Sequence, residues 1–200
     1  MSKKVVAIMG TYRRGRITDQ TVTAILEAAR ENGAETTKID LLDKNIEFCT
    51  NCRKCTQEPG PAHGRCVHND DMEQILAEIE SADAIILASP INFFNVTALM
   101  KRFIERLVAY SYWPWEKSMP KRRTDKLNRR AVVVTSSACP AFIGRILMPG
   151  ALGLLKKVAG LMGAKVVKSL YFGTACLSEH QKLSEKQIQK ARAAGALLAK

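Results

Sequence analysis

The chain has no long apolar run. The first one, Val5–Met9, is far too short for a membrane span or for the core of a signal peptide, so the expectation is a cytoplasmic protein with no membrane partner. Internal repeats, low-complexity tracts and interdomain linkers are also missing, which leaves the 200 residues to form one domain, 1–200, with a full hydrophobic core. Acidic residues are scarce: 19 Asp and Glu stand against 31 Lys and Arg, for a formal charge of +12. That excess suits either nucleic acid or an electrostatic funnel for an anionic substrate or cofactor. Much of it is local, since residues 113–130 hold seven basic side chains and two acidic ones, and a basic loop is more commonly solvated surface than a specific anion site.

What is present reads as a globular α/β chain, with 46% hydrophobic and 25% charged residues. Strand-like and helix-like stretches alternate five times, as in a parallel sheet with helices on both faces. Val5–Met9 reads as a buried central strand ending at Gly10, and the more polar Glu35–Leu41 as an edge strand. Ala84–Ala88, Ala131–Thr135 and Lys165–Phe172 supply the other strands. Val22, Ile25, Leu26 and Ala29 recur at helical spacing, with Asp19 as a candidate cap and Gly33 as a stop. Further helices are expected at Met72–Ile79, started by Asn69, Asp70 or Asp71, along the apolar stripe from Val96 to Val108, at Leu152–Met162 and at Ser184–Lys200. Residues 46–69 form a cysteine-rich loop and 110–129 a long aromatic and basic loop.

Ligands of such sheets sit beyond the carboxyl ends of the strands, which selects the loops Gly10–Thr18, Ser89–Asn95 and Ser136–Gly144. The first is neither a Walker loop nor Gly-x-Gly-x-x-Gly. Its hydroxyls, backbone N–H groups and following helix suit a phosphate, and its arginines can add charge-assisted hydrogen bonds; a plain connection with Arg14 and Arg16 merely solvated fits the same residues. In the second loop, Phe93 and Phe94 read either as packing residues or as part of a segment that meets the edge of a flat ring. In the third, the small residues around Ser136 and Ser137 let backbone amides approach a ligand, or make a bare turn.

Of the six cysteines, Cys49, Cys52, Cys55 and Cys66 crowd into one stretch, which in a cytoplasmic chain points to metal or redox chemistry rather than to a disulfide framework. The compact triple spacing is more like four-iron, four-sulfur ligation than the two separated Cys-x-x-Cys knuckles of zinc sites. Pro59, Gly60, Pro61 and Gly64 can turn the chain back to bring in Cys66. Plain reduced thiols are the competing reading. His63 and His68 are candidate substitute ligands or ordinary surface residues, while Cys139 and Cys176 are expected to be buried as small hydrophobes.

As a set, the loop after the first strand, Cys49-x-x-Cys52-x-x-Cys55, Asp70-Asp71-Met72, Ala82-Asp83, and Ser89-Pro90 running through Lys101-Arg102-Phe103-Ile104-Glu105-Arg106 resemble the NADPH-dependent FMN reductase and iron-sulfur flavoprotein branch of the flavodoxin-like superfamily. The resemblance is close over about the first half of the chain and architectural over the second. It implies a flavodoxin-like α/β fold, with a five-stranded parallel sheet in the order 2-1-3-4-5. It also implies FMN, with Thr11, Arg13 and Thr18 as phosphate ligands, Pro90, Ile91, Asn92, Phe94 and Asn95 as the ring-binding segment, and Ser136 and Ser137 near the ring. Cys49, Cys52, Cys55 and Cys66 would hold a 4Fe-4S cluster. The sequence departs from the family pattern in having Ile17 where asparagine is common, Asn92 where tyrosine is common, and a longer gap before Cys66.

The implied activity is an FMN-dependent oxidoreductase that takes electrons from NAD(P)H or a reduced carrier and delivers them to a small-molecule or protein acceptor. The cofactor carries the chemistry, so no side-chain acid, base or nucleophile is expected. Arg13, Arg14, Arg16 and the late basic loop are expected to favour reduced, anionic FMN. The run Tyr110, Tyr112, Trp113, Pro114, Trp115 reads as a subunit interface, a lid or a packed loop; the resemblance favours the interface, in a homodimer or homotetramer. The alternatives are a non-catalytic electron-transfer flavoprotein and a nucleic-acid module using Lys121–Arg130, which lacks a stacking platform or groove-reading helix.

Overall fold

The structure, a computed structural model, describes residues 2–200. In chain order its elements are β1 (Lys4–Met9), α1 (Ile17–Glu31), β2 (Glu35–Asp40), α2 (Met72–Ser81), β3 (Ala84–Asn92), β4 (Asn95–Val96), α3 (Ala98–Arg106), β5 (Ser111–Tyr112), β6 (Lys121–Arg122), β7 (Arg129–Ser136), α4 (Ala141–Leu147), α5 (Pro149–Leu161), β8 (Ala164–Phe172) and α6 (Glu185–Leu198). The long strands pair in parallel in the order β2-β1-β3-β7-β8, which is the expected 2-1-3-4-5 once the two-residue strands are set aside. β4 folds back antiparallel on β3, and β5 pairs with β6 as a separate ribbon.

The central strands are buried on both faces, which is why they read as continuous apolar runs. Along them the side chains alternate between two cores. Val6, Ile8, Ile85, Leu87 and Val133 pack with α2, α3 and α5, whereas Val5, Ala7, Met9, Ile86, Val132 and Val134 pack with α1 and α6. The α1–α6 pair sits close because α6 is alanine-rich there and has Gly195 at the contact: a Cβ on Gly195 would lie 2.2 Å from the carbonyl oxygen of Ile25. Among the described residues, no helix is long and apolar enough to cross a membrane.

Several boundaries differ from expectation for local reasons. Asp19 does not cap α1 but sits in its first turn, buried and ion-paired with Lys38. At α2 the useful carboxylate is Asp70, whose Oδ1 accepts from Met72 N–H at 3.0 Å. Val96 belongs to β4, and Thr97 caps α3 by accepting from Met100 N–H at 3.2 Å. α3 then tightens into a 3-10 turn over Leu107–Tyr110. The third loop runs into α4 from Ala141 onward, and Ser184 and Gln187 close a capping box at α6.

Candidate functional site

β1 ends where Gly10 N–H donates to the Ala88 carbonyl at 2.8 Å. Gly10 lies so close to α3 that a Cβ would stand 2.7 Å from the Met100 Cβ. Thr97 Oγ1 donates to the Gly10 carbonyl at 2.6 Å, and Thr97 N–H donates to Ser89 Oγ at 3.0 Å. The first and second loops are thus fixed to each other by two buried hydroxyls before any ligand arrives.

The turn that follows is held from within. Arg13 N–H donates to Thr11 Oγ1 at 3.2 Å, and Gly15, at φ +69°, donates its N–H to Asp19 Oδ2 at 2.6 Å. Arg16, at the N-cap of α1, gives no side-chain cap, so the first-turn N–H groups and the positive end of the helix are left for an anion. Thr18 Oγ1 and Ser136 Oγ share a buried hydrogen bond of 2.8 Å, joining the first loop to the third.

The three arginines separate into different roles. Arg14 donates through Nε to Asp40 at 3.1 Å and also pairs with Asp43. Arg16 reaches His180 Nδ1 at 3.2 Å and Glu179 at 4.0 Å. Arg13 is exposed and its guanidinium makes no hydrogen bond or ion pair among the described residues. The late basic segment works elsewhere. Arg123 donates to the carbonyls of Ala109, Cys55 and Glu58 at 2.8–3.0 Å. Arg129 donates to those of Ala82, Met162 and Glu80 at 2.8–3.1 Å. Arg129 and Arg130 open β7, at the end of the strand opposite Ser136. Arg123 and Arg129 are backbone staples, which corrects the expectation that these two back the anion site.

Thr11, Arg13, Thr18, Pro90, Ile91, Asn92, Ser136 and Ser137 line one cleft of about 260 Å³. Phe94 and Asn95 are not among its lining residues. They belong to the β3–β4 hairpin, whose two-residue turn has Phe93 at φ +44° and Phe94 at φ +68°, the left-handed pair for which Asn-Gly is the usual sequence. Asn95 Oδ1 is taken by Val96 N–H at 2.8 Å. Phe93 is 96% exposed and Phe94 62%, so neither is a packing residue.

Cys49, Cys52, Cys55 and Cys66 line a second pocket, together with Arg53, His68 and Arg106. The chain reaches it through left-handed Asn51 and Arg53 and a 3-10 turn at Lys54–Thr56. Burial, and then the neighbouring Cys66, Cys49 and Cys52, push the Cys55 thiol up to about 11. The N–H of Lys54 leads the effects that lower Cys52. Among the described residues, no group of three or more His, Cys, Asp or Glu side chains stands in a geometry to hold a metal ion.

Three ties anchor this pocket. Arg106 and Asp70 form an ion pair whose side chains are 2% and 1% exposed. Asp70 also accepts from Glu47 N–H at 2.7 Å, and Arg106 donates to the Glu47 carbonyl at 2.8 Å. Burial alone would raise the Asp70 carboxyl, but Arg106 and the backbone donors outweigh it and hold it below the usual range. Gly64 N–H donates to the Ala109 carbonyl at 2.8 Å, and a Cβ there would strike the Cys55 carbonyl. Thr56 Oγ1 donates to the Trp113 carbonyl at 3.0 Å. The aromatic run therefore packs on the cysteine loop within one chain. His63 does not line this pocket: Glu80 and Glu73 accept from its two ring nitrogens at 2.6 and 3.2 Å.

Residues 3–176 match the family described as NADPH-dependent FMN reductase. The chain belongs to that family. An iron-sulfur flavoprotein of Archaeoglobus fulgidus is 38% identical over 111 residues, covering 56% of this chain and 48% of that protein. Another, from Methanocaldococcus jannaschii, is 38% identical over 103 residues, covering 52% and 51%. The chain spans about half the length of the curated relatives it matches. Among solved structures, an FMN-dependent NADH-azoreductase from Bacillus anthracis superposes with a TM-score of 0.71 at 14% identity, over 99% of this chain and all of that one. An NAD(P)H:quinone oxidoreductase from Methanothermobacter marburgensis gives 0.69 at 18% identity, over 98% of each chain. At those identities the likeness establishes the flavodoxin-like fold.

In this FMN reductase family member the cleft has further walls: Tyr12, Arg16, Ile17 and Ala138 from the selected loops, and Ala175 and Cys176, which sequence reasoning did not select. Ala175 and Cys176 follow the carboxyl end of β8, and that topological position was the available signal. Cys176 is exposed and Cys139 half-buried, which corrects their assignment as buried hydrophobes.

Proposed function

We propose that the protein is an FMN-dependent oxidoreductase that draws electrons from NAD(P)H or a reduced carrier and passes them to a small-molecule or protein acceptor. The observation that carries this is the cleft itself: an uncapped helix start, the free Arg13 and the hydroxyls of Thr11, Thr18, Ser136 and Ser137 converge where the strand order reverses between β1 and β3. These donors fit a phosphate dianion, and Pro90, Ile91 and Asn92 form a wall suited to a flat ring. Held by these residues, FMN would supply hydride acceptance from a reduced nicotinamide and one- or two-electron transfer to an acceptor. The chain's part is to bind and orient. Thr18 and Ser136 keep the phosphate end and the third loop in register, and Arg13 supplies the positive charge that Arg14 and Arg16 spend on their own carboxylates.

Cys49, Cys52, Cys55 and Cys66 are proposed to hold a 4Fe-4S cluster beside this site. A cluster spreads its thiolates over separate irons, farther apart than the ligands of a single ion, which suits four thiols around one pocket without single-ion geometry. Loading would also relieve the cost of ionising the buried Cys55. Large exposed apolar side chains flank cleft residues along the chain, with Phe93 and Phe94 after Asn92 and Leu177 after Cys176. They support assembly as a homodimer or homotetramer.

The test is an absorbance spectrum of protein purified without oxygen, with iron and sulfide assays and turnover of NADH and NADPH on the same sample. Flavin bands, a broad iron-sulfur shoulder and turnover are expected. Colourless protein that takes up no FMN overturns the proposal.

A further inference from the structure

Seven buried side-chain nitrogen or oxygen atoms among the described residues have no hydrogen-bond partner, and three of them are Arg53 Nε, His68 Nε2 and Arg106 Nε. All three residues line the pocket of the four cysteines. Buried donors are rarely left unpaired, because each costs the full desolvation of its N–H. Three of them around one small pocket mark a place where an acceptor belongs.

These donors are also held in place. Arg53 gives its Nη2 to the Trp113 and Pro114 carbonyls at 2.7 and 3.1 Å, and its plane stacks on two indole rings. Arg106 gives both terminal nitrogens to Asp70 and one of them also to the Glu47 carbonyl. With Nη2 of Arg53 and both outer nitrogens of Arg106 engaged, each head is held with its Nε in one direction. The side chains lining the pocket include no carboxylate, and the four sulfurs dominate its chemistry.

The structure assigns Arg53, His68 and Arg106 as an N–H cradle that donates to the sulfur atoms of a cluster held by Cys49, Cys52, Cys55 and Cys66, and so raises its reduction potential. This rests on the cluster reading above. A cluster on four thiolates gains negative charge when reduced, so fixed N–H donors and two permanent positive charges stabilise the reduced form more than the oxidised one. His68 takes part as the Nε2–H tautomer. Arg106 is a donor whose position is set by Asp70.

His68 is the donor to test, because its ring makes no hydrogen bond among the described residues. Anaerobically reconstituted wild type, His68→Leu and His68→Gln are titrated for cluster midpoint potential. His68→Leu should weaken the preference for the reduced form about tenfold, which is ~59 mV lower for one electron, while His68→Gln, which keeps an N–H, stays near wild type. Equal potentials in wild type and a fully loaded His68→Leu overturn the cradle and leave the cluster standing. Wild type that binds no iron and sulfide overturns both. A readout without substitution uses 15N-arginine and 15N-histidine wild type: the reduced cluster should show 15N and exchangeable-proton hyperfine couplings, and their absence overturns the assignment even if His68→Leu does not fold.

Discussion

The guanidinium of Arg53 lies 3.8 Å from the ring centroid of Trp113 and 4.5 Å from that of Trp115. Arg53 stands between Cys52 and Cys55, and the indoles come from a segment about 60 positions later. Each stacking contact is worth ~0.5–2 kcal/mol. Trp113→Ala should therefore loosen the cysteine loop and raise the iodoacetamide alkylation rate of Cys55 in the metal-free protein several-fold. Trp115→Ala should do less, since Trp115 is 64% exposed. Unchanged alkylation in both variants would show that the clamp does not restrain the loop.

Among the described residues, Arg13 lines the cleft with its guanidinium unpaired, whereas Arg14 pairs with Asp40 and Asp43 and Arg16 reaches His180 and Glu179. A charge-assisted hydrogen bond contributes about 1.5–3 kcal/mol, so Arg13→Ala should weaken FMN binding at least tenfold in a flavin-fluorescence titration. Arg14→Ala and Arg16→Ala should stay within about threefold. Equal losses for Arg13 and Arg16 would mean that the loop presents its charges differently.

The Asp70–Arg106 pair should be costly to break from one side. Asp70→Asn leaves Arg106 buried and uncompensated, a loss of about 3–5 kcal/mol in urea unfolding. The double variant Asp70→Leu/Arg106→Met should recover most of it. Because the Asp70 carboxyl is depressed, its contribution is present above its unfolded pKa, about 4, and is lost as pH falls through its folded value. A double variant as unstable as the single one would refute this account.

His63 has the opposite sign. Burial disfavours its charged form, but Glu80 and Glu73 outweigh that and raise it above its ordinary value; Tyr110 lies beside it, tilted at 53° with ring centroids 5.9 Å apart. Its stabilisation is complete below the unfolded pKa of about 6.5 and disappears as pH rises through the folded value. Urea midpoints of wild type should drop across that interval, and His63→Gln should flatten the profile. Parallel profiles would place the titration elsewhere.

The sheet was legible in the sequence because Val5–Met9, Ala84–Ala88 and Ala131–Val134 are buried on both faces, and the cleft because its loops sit at the carboxyl ends of those strands. α4 was not: Phe142, Ile146 and Leu147 point to solvent, and Gly144 lies mid-helix where a Cβ would strike the Tyr171 hydroxyl, so no inward stripe exists to read. Nor could the loop sequence separate Arg13 from Arg14. That difference is made by Asp40 and Asp43, carboxylates 26 and 29 positions away. The partnership of Arg53 with two tryptophans is likewise tertiary.

The hairpin tip at Phe93–Phe94 has a consequence for anyone engineering this chain. Asn-Gly at these two positions would suit the turn better and remove two benzene rings from water. A library screened for heat tolerance alone should converge on it. The rings stand immediately after Asn92 of the cleft wall, so the hardier variants would be the ones altered in the turn that follows that wall.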